Sequence, residues 1–260
     1  TYSADGDASG SDSFTFKVSD GSLESNIATV DIEINQLQGE FAFEVGELLV
    51  SSDWQYVDFS TTFVNPAVVA KATTANSPES GVVSIRNLSS TGFEIRFNEW
   101  DYLDGVHPEE LVSFLAMETG HHQIADQTYA VAECSAITGL NNYLPVTFSA
   151  PLSTQPLVVS SVVTENEADT VTLRIKDIDI NGFSVAMQEQ EQNDGMHVEE
   201  TMCYIAWEKM SGLVDDLMVE VAVTDKTLTH EPSTVTFGQQ FTDVPFVMAG
   251  MQTVSGANTA

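Results

Sequence analysis

The chain has 260 residues, of which 42% are hydrophobic, enough for one large domain or for two or three small ones. It carries 39 acidic residues against 8 lysines and arginines, a formal net charge of −31 at pH 7. Such a charge repels nucleic acid, acidic lipid and uronic or sulfated polymers at long range, which favours neutral, cationic or calcium-bridged partners. No apolar run approaches the ~20 residues that a spanning helix needs, so we expect no membrane insertion.

Residues 1–35 differ from the rest of the chain. The stretches 12–21 and 28–34 alternate apolar and polar residues, which predicts two strands joined by an acidic turn. They resemble the last two strands of the cadherin-like or bacterial immunoglobulin-like repeats of adhesins. In those repeats, acidic residues at the joints often hold calcium, which makes Asp5, Asp7 and Asp20 candidate ligands. Ordinary turn residues are the alternative, because turns favour aspartate.

A repeat of about 90 residues occupies the remainder of the chain. The motif at 57–60 recurs at 146–149 and at 235–238, and each time a proline and an apolar run follow. These correspondences predict a first copy at 40–120, a second at 124–211 and the first half of a third at 217–260, with short connections near 119–127 and 211–217.

Each copy has the pattern of short β-strands. Runs of β-branched and aromatic residues are bounded by Gly, Pro, Asn and Ser, and segments such as 82–86 and 93–97 alternate apolar with polar residues. Gly92 and Gly182 lie in the tight turns between such runs. The sequence therefore predicts an all-β chain of tandem antiparallel β-sandwiches with about six strands each.

The order of the motifs resembles the H-type lectin domain. Val-x-Phe-Ser is followed by Pro-x-Val-Val, by the segment 86–95 and by a final strand that ends near Ala116. The resemblance implies a six-stranded antiparallel sandwich that trimerises and binds galactose or N-acetylgalactosamine near subunit edges. It also implies a disulfide between the first and last strands, which corresponds to Cys134 and Cys203 in the second copy.

The acidic loop 99–105 is longer than in that family, so the family's sugar contacts are not assigned to it one by one. A sugar site needs an aromatic face and planar hydrogen-bonding groups. The first copy offers both around this loop: Trp100, Tyr102, Asp101, Asp104, His107, Glu109, Arg96 and Arg86. The alternative is that Trp100 caps the sandwich and the acids keep its edge soluble. The second-copy equivalents are Asp194, His197, Glu199 and Lys176, without the aromatic rings.

Two of these patterns have further interpretations. His107 and Glu109, like His197 and Glu199, lie two positions apart on an extended strand and could ligate a metal together with Asp104 or Asp194. Hydrogen bonds that pin the loop would need the same residues. Arg86 and Lys176, which occupy equivalent positions, could contact a sugar or form an ion pair between subunits.

Motifs of catalysis such as Gly-x-Ser-x-Gly, HExxH or a phosphate-binding glycine loop are absent from the sequence, so we expect no enzyme. We expect a non-catalytic carbohydrate-binding module of a large secreted or cell-surface protein, with neutral galactose-type glycans as partners. A structural spacer is the alternative. The copies could form a pseudo-trimer within one chain, stand in a string, or associate between chains.

Overall fold

The computed structural model describes residues 10–34, 41–125, 127–190, 195–225, 228 and 231–254. Within these residues the chain has 17 β-strands and no helix, which confirms the all-β prediction. Accordingly, no helix in the described part is long and apolar enough to cross a bilayer. The chain divides into two compact units, Thr1–Gln38 and Gly39–Ala260.

The described residues of the first unit, 10–34, form a β-hairpin. Strand β1 (Gly10–Phe16) pairs antiparallel with β2 (Ala28–Ile34). The predicted first strand is shortened at its end, because residues after Phe16 turn back through an isolated bridge between Ser19 and Glu24. Asp20 lies in this turn.

The first copy is a six-stranded antiparallel sandwich. Its strands are β3 (Phe43–Val50), β4 (Gln55–Asp58), β5 (Pro66–Ala72), β6 (Gly81–Ser89), β7 (Gly92–Glu99) and β8 (Glu110–Glu118). One sheet has the order β3-β8-β5 and the other the order β4-β7-β6, and all pairs are antiparallel.

The second copy repeats this topology with one strand added. Its strands are β9 (Gly120–Ala125), β10 (Thr128–Ile137), β11 (Leu144–Thr147), β12 (Leu157–Val162), β13 (Val171–Lys176), β14 (Gly182–Glu189) and β15 (Glu200–Trp207). The sheets have the orders β12-β15-β10-β9 and β11-β14-β13. A further hairpin, β16 (Met210–Val214) and β17 (Leu217–Val221), follows.

The predicted short connections between copies contain β-strands. β9 lies in the predicted connection near 119–127 and pairs with β10, and β16 lies near 211–217 and pairs with β17. Each therefore forms a hairpin with the first strand of the copy that follows it, which satisfies backbone groups that a free linker would leave to water.

Equivalent glutamates repeat in all three copies. Glu44 on β3 accepts hydrogen bonds from the backbone of Ser60 and Thr61, and Glu133 on β10 accepts one from Ser149. Glu220 on β17 does the same for Gly238, at 2.8 Å. Part of the acidic composition therefore closes loops by bonding backbone amides.

The copies pack side by side. Along β15, Met202, Tyr204 and Ala206 belong to the core of the second copy, whereas Cys203, Ile205 and Trp207 belong to a cluster shared with the first copy. That shared cluster also includes Val214 and partly buried residues of the third copy such as Met248. A string of separate sandwiches is therefore excluded for this unit, because its apolar faces are buried between copies.

A disulfide joins Cys134 and Cys203. The two residues are direct cross-strand partners on β10 and β15, the first and last strands of the second sandwich, apart from the added β9. Cys203 is buried in the cluster shared with the first copy, so the bond lies on the face that packs between copies.

Candidate functional site

The loop between β7 and β8 does not present its tryptophan to solvent. Trp100 is 7% exposed, so its ring cannot serve as the stacking face that the sequence suggested. Its backbone donates to Ser80, and Leu103 turns back onto the carbonyl of Trp100, which holds the ring inward. Tyr102, in contrast, is 53% exposed.

His107 pins this loop to the sandwich. Its Nδ1 lies 2.9 Å from Glu99 Oε1, its Nε2 lies 3.0 Å from Glu110 Oε1, and its ring stacks on Phe97 with 4.2 Å between centroids. All three polar side chains are buried. His107 is therefore a loop clamp and does not reach a sugar in the solvent.

The second copy repeats the clamp. His197 lies 3.2 Å from Glu189 and 3.2 Å from Glu200, and its side chain is fully buried. The repeated His-x-Glu pairs are visible in the sequence, but the predicted partner of each histidine was the wrong glutamate. Glu109 and Glu199, the predicted partners, are exposed.

The pKa values of two clamp carboxyls are shifted in opposite directions. Burial by itself would raise the pKa of Glu110, but hydrogen bonds from Thr74, His107 and Asn76 hold this pKa below its usual value. For Glu189 burial prevails over the hydrogen bond from His197, so its pKa is raised. Glu110 faces Nε2 of its histidine and Glu189 faces Nδ1, so the two carboxyls hold different positions in the clamp.

The expected metal sites do not form in the described residues. Asp104, His107 and Glu109 do not converge, and Asp104 instead accepts from the backbone of Val106. The one group close enough to hold an ion there is Glu79, Glu99 and His107, but glutamates already occupy both nitrogens of His107.

Of the calcium ligands expected in the first unit, Asp20 is the one that lies among the described residues. Asp20 Oδ1 accepts hydrogen bonds from the backbone of Ser22 and Leu23, and these bonds lower its pKa, as in an ordinary turn. Asp5 and Asp7, like Asp194 of the second copy, lie outside the described residues.

The two arginines join the copies. Arg86 Nη1 lies 3.0 Å from Glu165 Oε2, and Arg96 donates to the other oxygen of Glu165, which belongs to the second copy. Both guanidinium groups lie over the ring of Trp54, at 4.0 and 4.6 Å from its centroid. Arg86 forms an ion pair, but this pair joins two copies within one chain and not two subunits.

Lys176 of the second copy also lies over an aromatic ring, and its ion pair is with a residue of its own copy. Its ammonium lies 4.0 Å from the ring centroid of Tyr143 and 3.7 Å from Asp177. Trp54 and Tyr143 occupy equivalent positions in the two copies, and sequence analysis missed both. Their signal was present, because each precedes a repeated motif by the same short distance.

A second set of contacts joins the copies at the far end of β7. Asn98 Nδ2 donates to Thr170 Oγ1 at 2.8 Å, and Gln190 Nε2 donates to Asp101 Oδ2 at 2.8 Å. Asp101 therefore contacts the second copy. Together with the arginine–glutamate cluster, these bonds hold residues 165–170 across the outer face of β6 and β7.

A groove of 220 Å³ lies between the two copies, next to these contacts. Its walls come from β5, β6, the end of β7, β12 and the segment 164–173. The lining includes Lys71, the four acidic residues Glu165, Glu167, Asp169 and Glu200, and six residues that carry hydroxyl groups: Ser84, Ser160, Ser161, Thr164, Thr170 and Thr172.

A second cavity of 300 Å³ lies inside the second copy, between β10 and β11. The hydroxyl of Tyr204 donates to Glu133, and both residues line the cavity. Burial and this bond raise the pKa of Tyr204. Ser135 and Thr147 add hydroxyl groups to a lining that is otherwise apolar, with residues such as Ile137 and Met202.

Comparison with known proteins gives one relative. Halomucin of Haloquadratum walsbyi (strain DSM 16790 / HBSQ001) is 31% identical over 220 residues, which cover 79% of this chain and 2% of halomucin. No family model matches the chain, and no solved structure matches it. The H-type lectin resemblance stays a prediction, and the chain is similar to one short segment of a very long protein.

Proposed function

We propose that this chain is a non-catalytic carbohydrate-binding segment of a large secreted or cell-surface multidomain protein. The observation that carries the proposal is the groove between the first and second copies. Tandem packing creates it, because one wall belongs to each copy. A ligand in the groove would therefore contact both copies at once.

The size and lining of the groove suit a sugar. Its 220 Å³ is below the ~300–1,000 Å³ typical of drug-sized sites and is suited to one or two sugar rings. Hydroxyl side chains such as Ser84 and Thr172 offer donors and acceptors to sugar hydroxyls. The resemblance to H-type lectins favours galactose-type sugars.

Two further observations support the setting of a large exported protein. The matched segment is 2% of halomucin, so a relative of this chain is embedded in a very long polypeptide. The net charge of −31 suits saline surroundings, where salt screens repulsion between carboxylates.

A blocked groove tests the proposal. Wild-type chain and a Ser84→Trp variant are applied to a glycan array and to galactose-bearing resin. Ser84 lines the groove, so the indole should fill it and remove binding. Ser90→Trp is the matched control, because Ser90 lies exposed in the turn of the same hairpin. Binding that both variants retain would place the sugar elsewhere or refute the proposal.

A structural spacer is the second candidate. It is favoured by the use of Arg86, Arg96 and Asp101 for contacts between copies, since these candidate sugar contacts are committed to holding the molecule together. A folded wild-type chain that binds no glycan on the array would favour the spacer.

A further inference from the structure

Lys71 occupies a distinctive place in the groove. It lies on β5, the edge strand of the first sandwich, and it lines the groove. The neighbouring residue Ala70 is fastened to the second copy, because Ser161 Oγ accepts from its backbone N–H at 3.0 Å and donates to its carbonyl at 3.2 Å. The position of the Lys71 backbone is therefore set by the interface.

The ammonium group of Lys71 has no counter-ion among the described residues. Burial alone lowers the pKa of Lys71 to about 8, and no acceptor or carboxylate contributes to the shift. At neutral pH the group still carries its charge, because the pH lies below this pKa. A partly desolvated charge without a partner is unfavourable, and an anionic ligand would relieve that cost.

Four carboxylates line the groove, and three of them already have partners. Glu165 binds Arg86 and Arg96. Glu200 accepts from the hydroxyl of Thr164, and Glu167 accepts from the backbone of Val198 at 2.8 Å. Lys71 is the one cation among the residues that line the groove, so it is the group that an anionic ligand could pair with.

We infer that the groove selects a galactose-type sugar that bears a carboxylate, of the galacturonate class, and that the carboxylate pairs with the ammonium of Lys71. The inference rests on the proposed function and narrows its substrate class. The sequence analysis predicted a neutral sugar from the net charge of the chain. That prediction considered long-range repulsion only and did not consider a local contact with Lys71.

Varying the salt concentration separates the long-range repulsion from the ion pair with Lys71. Long-range repulsion from the net charge of −31 is screened over about 10 Å at 0.1 M ionic strength, whereas a pair inside a groove is screened less. The affinity for galacturonate should therefore rise as salt is added from very low levels to moderate levels. Ordinary surface ion pairing would give the opposite trend.

The experiment titrates the full chain with galacturonate and with galactose, using calorimetry or ligand-observed NMR. We expect galacturonate to bind about tenfold more tightly near neutral pH, the size of one charge-assisted contact in a partly exposed site. Lys71→Met should abolish this preference for galacturonate over galactose. Lys176→Met is the matched control and should keep the preference, since Lys176 lies over Tyr143 and not in this groove.

A second measurement needs no variant. The preference should disappear between about pH 7 and about pH 9.5, where Lys71 loses its proton. The carboxyl groups that face the groove beside Lys71 are those of Glu165, Glu167, Asp169 and Glu200. Equal binding of both sugars at all pH values would overturn the inference and leave the proposed function standing. Failure of a folded chain to bind either sugar or any arrayed glycan would overturn both.

Discussion

Replacing Glu165 by glutamine should loosen the junction between the first two copies. Glu165 is the carboxylate that pairs with Arg96 in this cluster. Arg86 would still have a partner in the variant, because its Nε lies 2.6 Å from Glu94 Oε2. Charge-assisted hydrogen bonds contribute about 1.5–3 kcal/mol each, but the exposed fractions here are 21% for Glu165 and 35% for Arg86, so solvent screens the pairs. We expect a loss of about 2 kcal/mol in the free energy of unfolding.

Thermal unfolding measures this loss. For a unit of this size, about 2 kcal/mol corresponds to a fall of about 4–8 °C in melting temperature. A double-mutant cycle with Arg96→Met should give a coupling energy of about 1 kcal/mol, because the two substitutions remove the same pair. Glu109→Gln is the control and should be nearly neutral, since Glu109 is exposed. A melting temperature of Glu165→Gln equal to wild type would refute this reasoning.

Three further perturbations follow from the packing and the clamps. Glu110→Gln should destabilise the chain at neutral pH, and the loss of stability should shrink as pH falls below 4.5, the usual pKa of a glutamate, because a pKa lowered by folding means that the ionised carboxylate is the form that stabilises the fold. Melting curves across acidic pH measure this. Gly46→Ala should cost about 1–3 kcal/mol, because its Cβ would lie 2.3 Å from the ring of Phe114, while Gly212→Ala, with nothing within 4 Å, should be neutral in the same denaturant titration. Reduction of the disulfide, which spans 69 residues, should cost about 4 kcal/mol, and identical melting with and without reductant would contradict this.

The sandwich class was accessible from sequence because its signals are local. Alternation along β6 and β7 and the recurrence of motifs at equal spacing depend only on neighbouring residues and on counting. The packing between copies also left a signal that the prediction did not use. β15 is apolar at nearly every position from Met202 to Trp207, as expected for a strand buried on both faces.

The site was harder to predict because tertiary structure decides which side chains face solvent. Trp100 and Tyr102 looked equivalent as aromatic faces, yet one is buried and the other exposed. The clamp joins His107 to Glu99 and Glu110. Glu109 is nearer to His107 in the sequence than Glu110 is, but adjacent residues of an extended segment point in opposite directions. Lys71 gave no sequence signal, because its isolation depends on the second copy.

The position of the bound sugar is measured most directly by backbone NMR of the isotope-labelled chain during titration with galacturonate. We expect changes in backbone chemical shift that are concentrated at Lys71 and on the groove walls at 81–85, 97–98 and 164–173. The tip of the Tyr102 loop should show no change. Changes confined to the Tyr102 loop, or no changes at saturating sugar, would contradict the assignment of the groove between the copies as the binding site.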